Sequence, residues 1–139
     1  MRADVRRLTD DGERGSAVVD FVLVSVLILG LLLAVLQVAV YVHVRNVVTA
    51  SAQEGARYGA NADVPSDAGG RRTVEIVGRA TSEQTARGLS CTSGEEVEAG
   101  SGLTLVVVRC TGSVPSMVPA LGNLLPLSVT GRSVKEIVQ

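Results

Sequence analysis

The sequence contains no tryptophan and only three aromatic residues, Phe21, Tyr41 and Tyr58. All three lie in the first 58 positions, so any core further along must be built from Val, Leu, Ile and Ala. No aromatic side chain after Tyr58 is available to stack on a base, and a net charge of -1 supplies no field to hold phosphate backbones. Nucleic-acid binding is thereby excluded as a reading. The single histidine, His43, sits among apolar residues, and neither CxxC nor HExxH occurs. Gly69-Gly70-Arg71-Arg72 lacks the lysine of a phosphate loop. The Ser, Asp and His residues are too scattered to make a nucleophile triad, so neither an enzyme nor a cofactor or metal site is expected.

What the chain does have is a long apolar run. From Phe21 to Val44 there are 24 residues without a formal charge. At about 1.5 Å per residue a helix of that length crosses a bilayer core of about 30 Å. Apolar positions continue with helical spacing through Val47, Val48, Ala52 and Ala56, which predicts one helix over Ser16 to Tyr58 with its transmembrane part at about 21–44. Ser25, Gly30 and Gln37 are small or polar positions of the kind that mediate helix contacts in membranes. Tyr41 and His43 fall at the outer headgroup level. Arg2, Arg6, Arg7 and Arg14 precede the run, against Arg45 and Arg57 beyond it. The positive-inside rule then places the N-terminus in the cytoplasm and the C-terminal part outside.

Asp20 stands at the mouth of this segment, where a carboxylate in mid-membrane would cost roughly 2.5 to 3.5 kcal/mol. It needs a reason to be there. If the chain is cut after Gly15, Ser16 becomes a new ammonium terminus and Asp20 lies one turn away at i+4, within reach of pairing in the same chain or a neighbour. The bland reading is an interfacial acid at a helix N-terminus, favoured by the dipole.

The junction Glu13-Arg14-Gly15-Ser16-Ala17-Val18-Val19-Asp20-Phe21 resembles the processing site of type IV pilin-like precursors. Together with Gln53-Glu54-Gly55-Ala56-Arg57-Tyr58-Gly59-Ala60 it resembles the TadE family, the pseudopilins of tight-adherence (Tad, or Flp) pilus systems, with Asp20 where that family usually has Glu. The resemblance covers about the first 60 residues. It implies a leader over 1–15, a prepilin peptidase cutting between Gly15 and Ser16, and Asp20 as the helix-entry acid used in assembly. It also implies partners: the membrane, other pilin or pseudopilin subunits, and the Tad assembly platform. Glu54, Gly55, Arg57 and Tyr58 match the second block, though a solvated face with Glu54 near Arg57 at i+3 explains the charged pair equally well.

Beyond the helix, Gly59, Pro65, Gly69 and Gly70 with Asn61, Asp63 and Asp67 predict a linker over 59–72. A small α+β domain over 73–139 follows. In it an amphipathic helix runs from Thr73 to Leu89, and Leu103 to Cys110 is a strand. Glu95 to Ala99 is a shorter strand across the Gly100-Ser101-Gly102 turn, and Leu127 to Val138 completes an antiparallel sheet. Pro115, Pro119, Gly122 and Pro126 make the intervening segment irregular, although Met117, Leu121, Leu124 and Leu125 are apolar. Cys91 and Cys110 fall in the part placed outside, where oxidation is permitted, and a disulfide between them is the natural reading, with two free thiols as the alternative. Two other functions compete with a pilus role. One is an uncleaved bitopic binding module; the other is a secreted domain released after Ala50-Ser51-Ala52, for which the apolar region is too long.

Overall fold

The structure, a computed structural model, describes residues 10–114, 116 and 125–137. Leader residues Arg2, Asp4, Arg6 and Arg7 lie outside the described residues, as do Pro115, Met117, Pro119, Leu121, Gly122, Leu124 and Val138. The elements are α1 (Asp10–Ala60), α2 (Ala68–Ala80), α3 (Glu83–Arg87), β1 (Leu89–Val97), β2 (Thr104–Val114) and β3 (Leu125–Val134). By contacts the chain divides into a unit ending at Val38 and one beginning at Ala39.

Among the described residues, the first unit holds only the first part of α1. The helix starts earlier than the expected Ser16, at Asp10. Its apolar side chains are exposed all round, Phe21 and Leu27 among the most. Inside it Ser25 donates its hydroxyl back to the Phe21 carbonyl at 2.8 Å, which satisfies a polar side chain without a partner helix. The helix is long and apolar enough to cross a membrane.

In the second unit the end of α1 packs on a sheet of order β1-β2-β3, antiparallel throughout. Val44, Val48, Ala52, Ala56 and Ala60 are all buried, one every fourth residue, and form the seam that meets the sheet. The shift from Val to Ala along the seam lets the backbones converge. At Gly131 of β3 a Cβ would strike the Ala52 carbonyl, so this glycine is where helix and strand touch. Val106, Val108, Cys110 and Val114 of β2 and Leu127 and Val129 of β3 supply the apolar surface beneath.

The second helix differs from expectation at both ends. It begins at Ala68 and not Thr73, because Gly69 and Gly70 are tertiary contacts and not turn formers. A Cβ at Gly69 would stand 2.7 Å from the Gly55 carbonyl oxygen, and one at Gly70 would stand 2.7 Å from that of Cys91. It stops at Ala80, with Thr81 as C-cap and Ser82 capping α3 by accepting a hydrogen bond from the Thr85 amide at 3.1 Å. What reads as one helix to Leu89 is two. The strand before the hairpin is correspondingly longer, with Leu89 opposite Gly112 and Val97 opposite Thr104. The turn follows over 98–102, with Gly102 at φ 68, a left-handed conformation that suits glycine. β2 likewise runs past Cys110 to Val114.

Candidate functional site

Gly15 and Ser16 lie within α1 and have helical backbone. Nothing lies within 4 Å of where a Gly15 Cβ would stand, so packing does not account for this glycine. Gly costs a helix interior about 1 kcal/mol relative to Ala, which makes the Gly15 turn the easiest place nearby to open. Ser16 and Asp20 are exposed. Four residues of helix separate them by about 6 Å along the axis.

The second sequence block divides by burial. Glu54 and Arg57 are exposed, and no ion pair joins them among the described residues, in place of the expected i+3 contact. Gly55 is buried where α1 and α2 cross. A Cβ there would fall inside contact distance of Thr73 Oγ1 and 2.5 Å from the Gly69 carbonyl oxygen. Thr73, fully buried, donates to Gly69 O at 2.9 Å and also approaches Ser51 O at 3.3 Å, so its hydroxyl belongs to the same crossing. Tyr58 lies under the Arg72 guanidinium, 5.7 Å from ring centroid to Cζ. The role of Gly55 was missed in the sequence; the signal was the interleaving of Ser51, Gly55 and Gly59 with the Ala52, Ala56 and Ala60 seam.

Lys135, just after β3, also escaped sequence reading. Its Nζ donates to the carbonyls of Gly59, Asn61 and Val64 at 3.0, 3.2 and 2.9 Å, and so ties the end of β3 to the last turn of α1 and the loop after it. Cys91 and Cys110 are opposite each other in the β1–β2 register and are joined, S–S 2.04 Å.

Two surface hollows accompany α2. One, of about 360 Å³ and widely open, has Val74, Gly78 and Ala86 as its floor and Glu75, Arg79, Glu83 and Arg87 at its rim. Its charges are already matched, Glu75 with Arg72 and Arg79, Glu83 with Arg87. The hydrogen bond from Arg72, then the charge of Arg79, holds the Glu75 carboxyl below its ordinary range. The other, about 210 Å³, lies between Tyr58, Ala68, Arg71 and Arg72. On the opposite face of the sheet, Glu96 is lowered by the hydrogen bond from Arg109, whose own pKa is raised in return. No group of three or more potential metal ligands occurs among the described residues. These are ion pairs at a solvated surface, and none places a nucleophile beside a base.

Residues 15–57 match the family model described as TadE-like protein. Over its long helix the chain is similar to the TadE-like family. The match opens on Gly15, the residue before the expected cut, and closes on Arg57, inside the second block. The TadE-like segment therefore takes in Asp20, the apolar helix and the glycine of the α1–α2 crossing. The match suggests a Tad pilus-associated protein, and the long apolar helix it covers suggests membrane anchoring. No curated protein and no solved structure matches the chain.

Proposed function

We propose that this TadE-like chain is a minor pseudopilin, cut between Gly15 and Ser16 by a prepilin peptidase and then taken into a Tad pilus or secretion pseudopilus beside other pilin helices. The observation that carries the reading is the closeness of three boundaries between residues 14 and 21: the family match begins at Gly15, the leader arginines end at Arg14, and the charge-free run begins just after Asp20. In this reading residues 1–15 are a leader held in the cytoplasm, 21–44 span the membrane, and the sheet domain lies outside. The bond-breaking chemistry belongs to the peptidase. This chain contributes a helix turn weakened by Gly15 and, once cut, an ammonium at Ser16 that pairs with the Asp20 carboxylate of its own or a neighbouring helix. Pairing removes most of the cost of carrying Asp20 into hydrocarbon during lateral packing.

Gly15→Leu tests the first step: the precursor should accumulate uncut in the membrane fraction, and normal maturation would refute the assignment. Asp20→Ala separates the second step from the first. It should leave cleavage intact and reduce recovery of the subunit with assembled pili, whereas unchanged assembly would remove the pairing role.

A further inference from the structure

The sheet domain is polarised along its strands. One end carries the β1–β2 turn, with Glu95, Glu96 and Glu98 beside Lys135 and Glu136. At the other end Val114 faces Leu125 in the β2–β3 register, and neither Cys110 to Val114 nor Leu125 to Gly131 contains a formal charge. Ten steps of β2 separate the two ends, about 34 Å. The charge-free end is where α1 leaves the domain: Tyr41 donates its hydroxyl to the Pro126 carbonyl at 3.2 Å, while the far end of β3 is held by a Glu136 amide to Ala60 carbonyl bond of 2.8 Å.

Tyr41 also has a fixed height on the span. Twenty-four charge-free residues make about 36 Å of helix against a hydrocarbon core of about 30 Å, so the last four, Tyr41 to Val44, emerge at the headgroup boundary. Pro126, bonded to Tyr41 and exposed, is held at that level, and Val42, next to Tyr41 in the chain, is 48% exposed. Arg45, one turn further out, stands where lipid phosphates would meet it. α3 carries two exposed charges, Glu83 and Arg87, paired with each other. The glycine after α3, Gly88, abuts Gly112, two positions and about 7 Å short of Val114.

We infer that the charge-free end of the sheet, marked by Tyr41, Val42, Leu125 and Pro126, rests on the bilayer surface, so that the domain docks upright on lipid through its own apolar end as well as through its helix. The partner is the lipid interface, because Tyr41, Val42, Leu125 and Pro126 continue the membrane span without a charge among them. Uncharged apolar surface of this kind is stable at the headgroup and acyl boundary, where Tyr is also favoured. The inference rests on reading α1 as a membrane span.

The absence of tryptophan makes the test clean. Full-length protein is reconstituted into phosphatidylcholine vesicles whose acyl chains carry bromine either near the headgroup or deep in the core, with a single Trp introduced as Pro126→Trp, Leu29→Trp or Val97→Trp. Leu29→Trp should be quenched most by deep bromine. Pro126→Trp should be blue-shifted and quenched severalfold more by shallow bromine than Val97→Trp at the distal end. If Leu29→Trp is quenched while Pro126→Trp behaves like Val97→Trp, the docking is wrong and the span stands. If Leu29→Trp is not quenched either, the span reading itself fails and the docking fails with it. Ser128→Trp, exposed one step further up the same strand, gives the same readout should Pro126→Trp misfold.

Discussion

In the middle of a helix, Gly to Ala ordinarily stabilises by about 1 kcal/mol. At Gly55 the sign should reverse. An added methyl would overlap Thr73 Oγ1 and stand 2.5 Å from the Gly69 carbonyl oxygen, where carbon needs about 3.5 Å. Thr73 has little freedom to turn away, because its hydroxyl is held by Gly69 O at 2.9 Å and Ser51 O at 3.3 Å. The carbonyl is backbone, so relief requires α2 to retreat by roughly 1 Å, and Gly70 against the Cys91 carbonyl ties α2 to β1 as well. Overpacking of this kind costs about 1 to 3 kcal/mol, and a backbone clash belongs at the upper end. After the gain in helix propensity, a net loss of about 2 kcal/mol remains. For a unit of this size that lowers Tm by roughly 8 to 16 °C. Thermal unfolding of the full chain in detergent, followed by circular dichroism, reads the shift. Gly94→Ala is the control: nothing lies within 4 Å of its Cβ, and its Tm should hold. A Gly55→Ala protein as stable as the parent would refute the close α1–α2 crossing.

Lys135→Met keeps the aliphatic stem but removes three hydrogen bonds to carbonyls of the last α1 turn and the loop after it, and should cost about 2 kcal/mol in denaturant unfolding; no change in midpoint would mean that water serves those carbonyls equally well. Replacing Cys91 and Cys110 together by Ala opens a loop of sequence separation 19 and should remove about 3 kcal/mol, and reductant should then destabilise the parent protein only. The Glu96 carboxyl is lowered from 4.5 by its bond from Arg109, so the unfolded chain takes up that proton more readily than the folded one. The contribution of Glu96 is present above the ordinary range and disappears as pH falls through the lowered value. Glu96→Gln should therefore flatten the loss of Tm below about pH 4.5, and an unchanged acid slope would deny the pair any role.

The parts of this protein that were legible in advance are those whose signal is local. The α1 helix follows from apolar residues without interruption. The hairpin follows from Gly100-Ser101-Gly102 before a β-branched run, and β3 from Leu127-Ser128-Val129-Thr130. The parts that were not legible are set by contact across the fold. Gly69 and Gly70 carry the local signature of a turn, yet stand in the first turn of α2 because two other backbones approach there. Leu89 to Gly94 is too polar and too poor in β-branched residues to announce a strand, and becomes one through pairing with β2 and the bond from Cys91 to Cys110. The division at Thr81 depends on a Ser82 cap that competes with an otherwise continuous helical pattern. At the candidate site the motif residues Gly15, Ser16 and Asp20 were readable as spacing alone. The work of Gly55 was not, since its partner lies fourteen residues away on another helix.

The account turns on whether the chain is cut after Gly15. Intact mass and N-terminal sequencing of the protein recovered from membranes of its native host address that directly. A mature chain that begins at Ser16 is the predicted result. A chain that still begins at Met1 would contradict it and favour an uncleaved, membrane-anchored binding module, and one that begins at Gln53 would mean a released domain without the apolar helix.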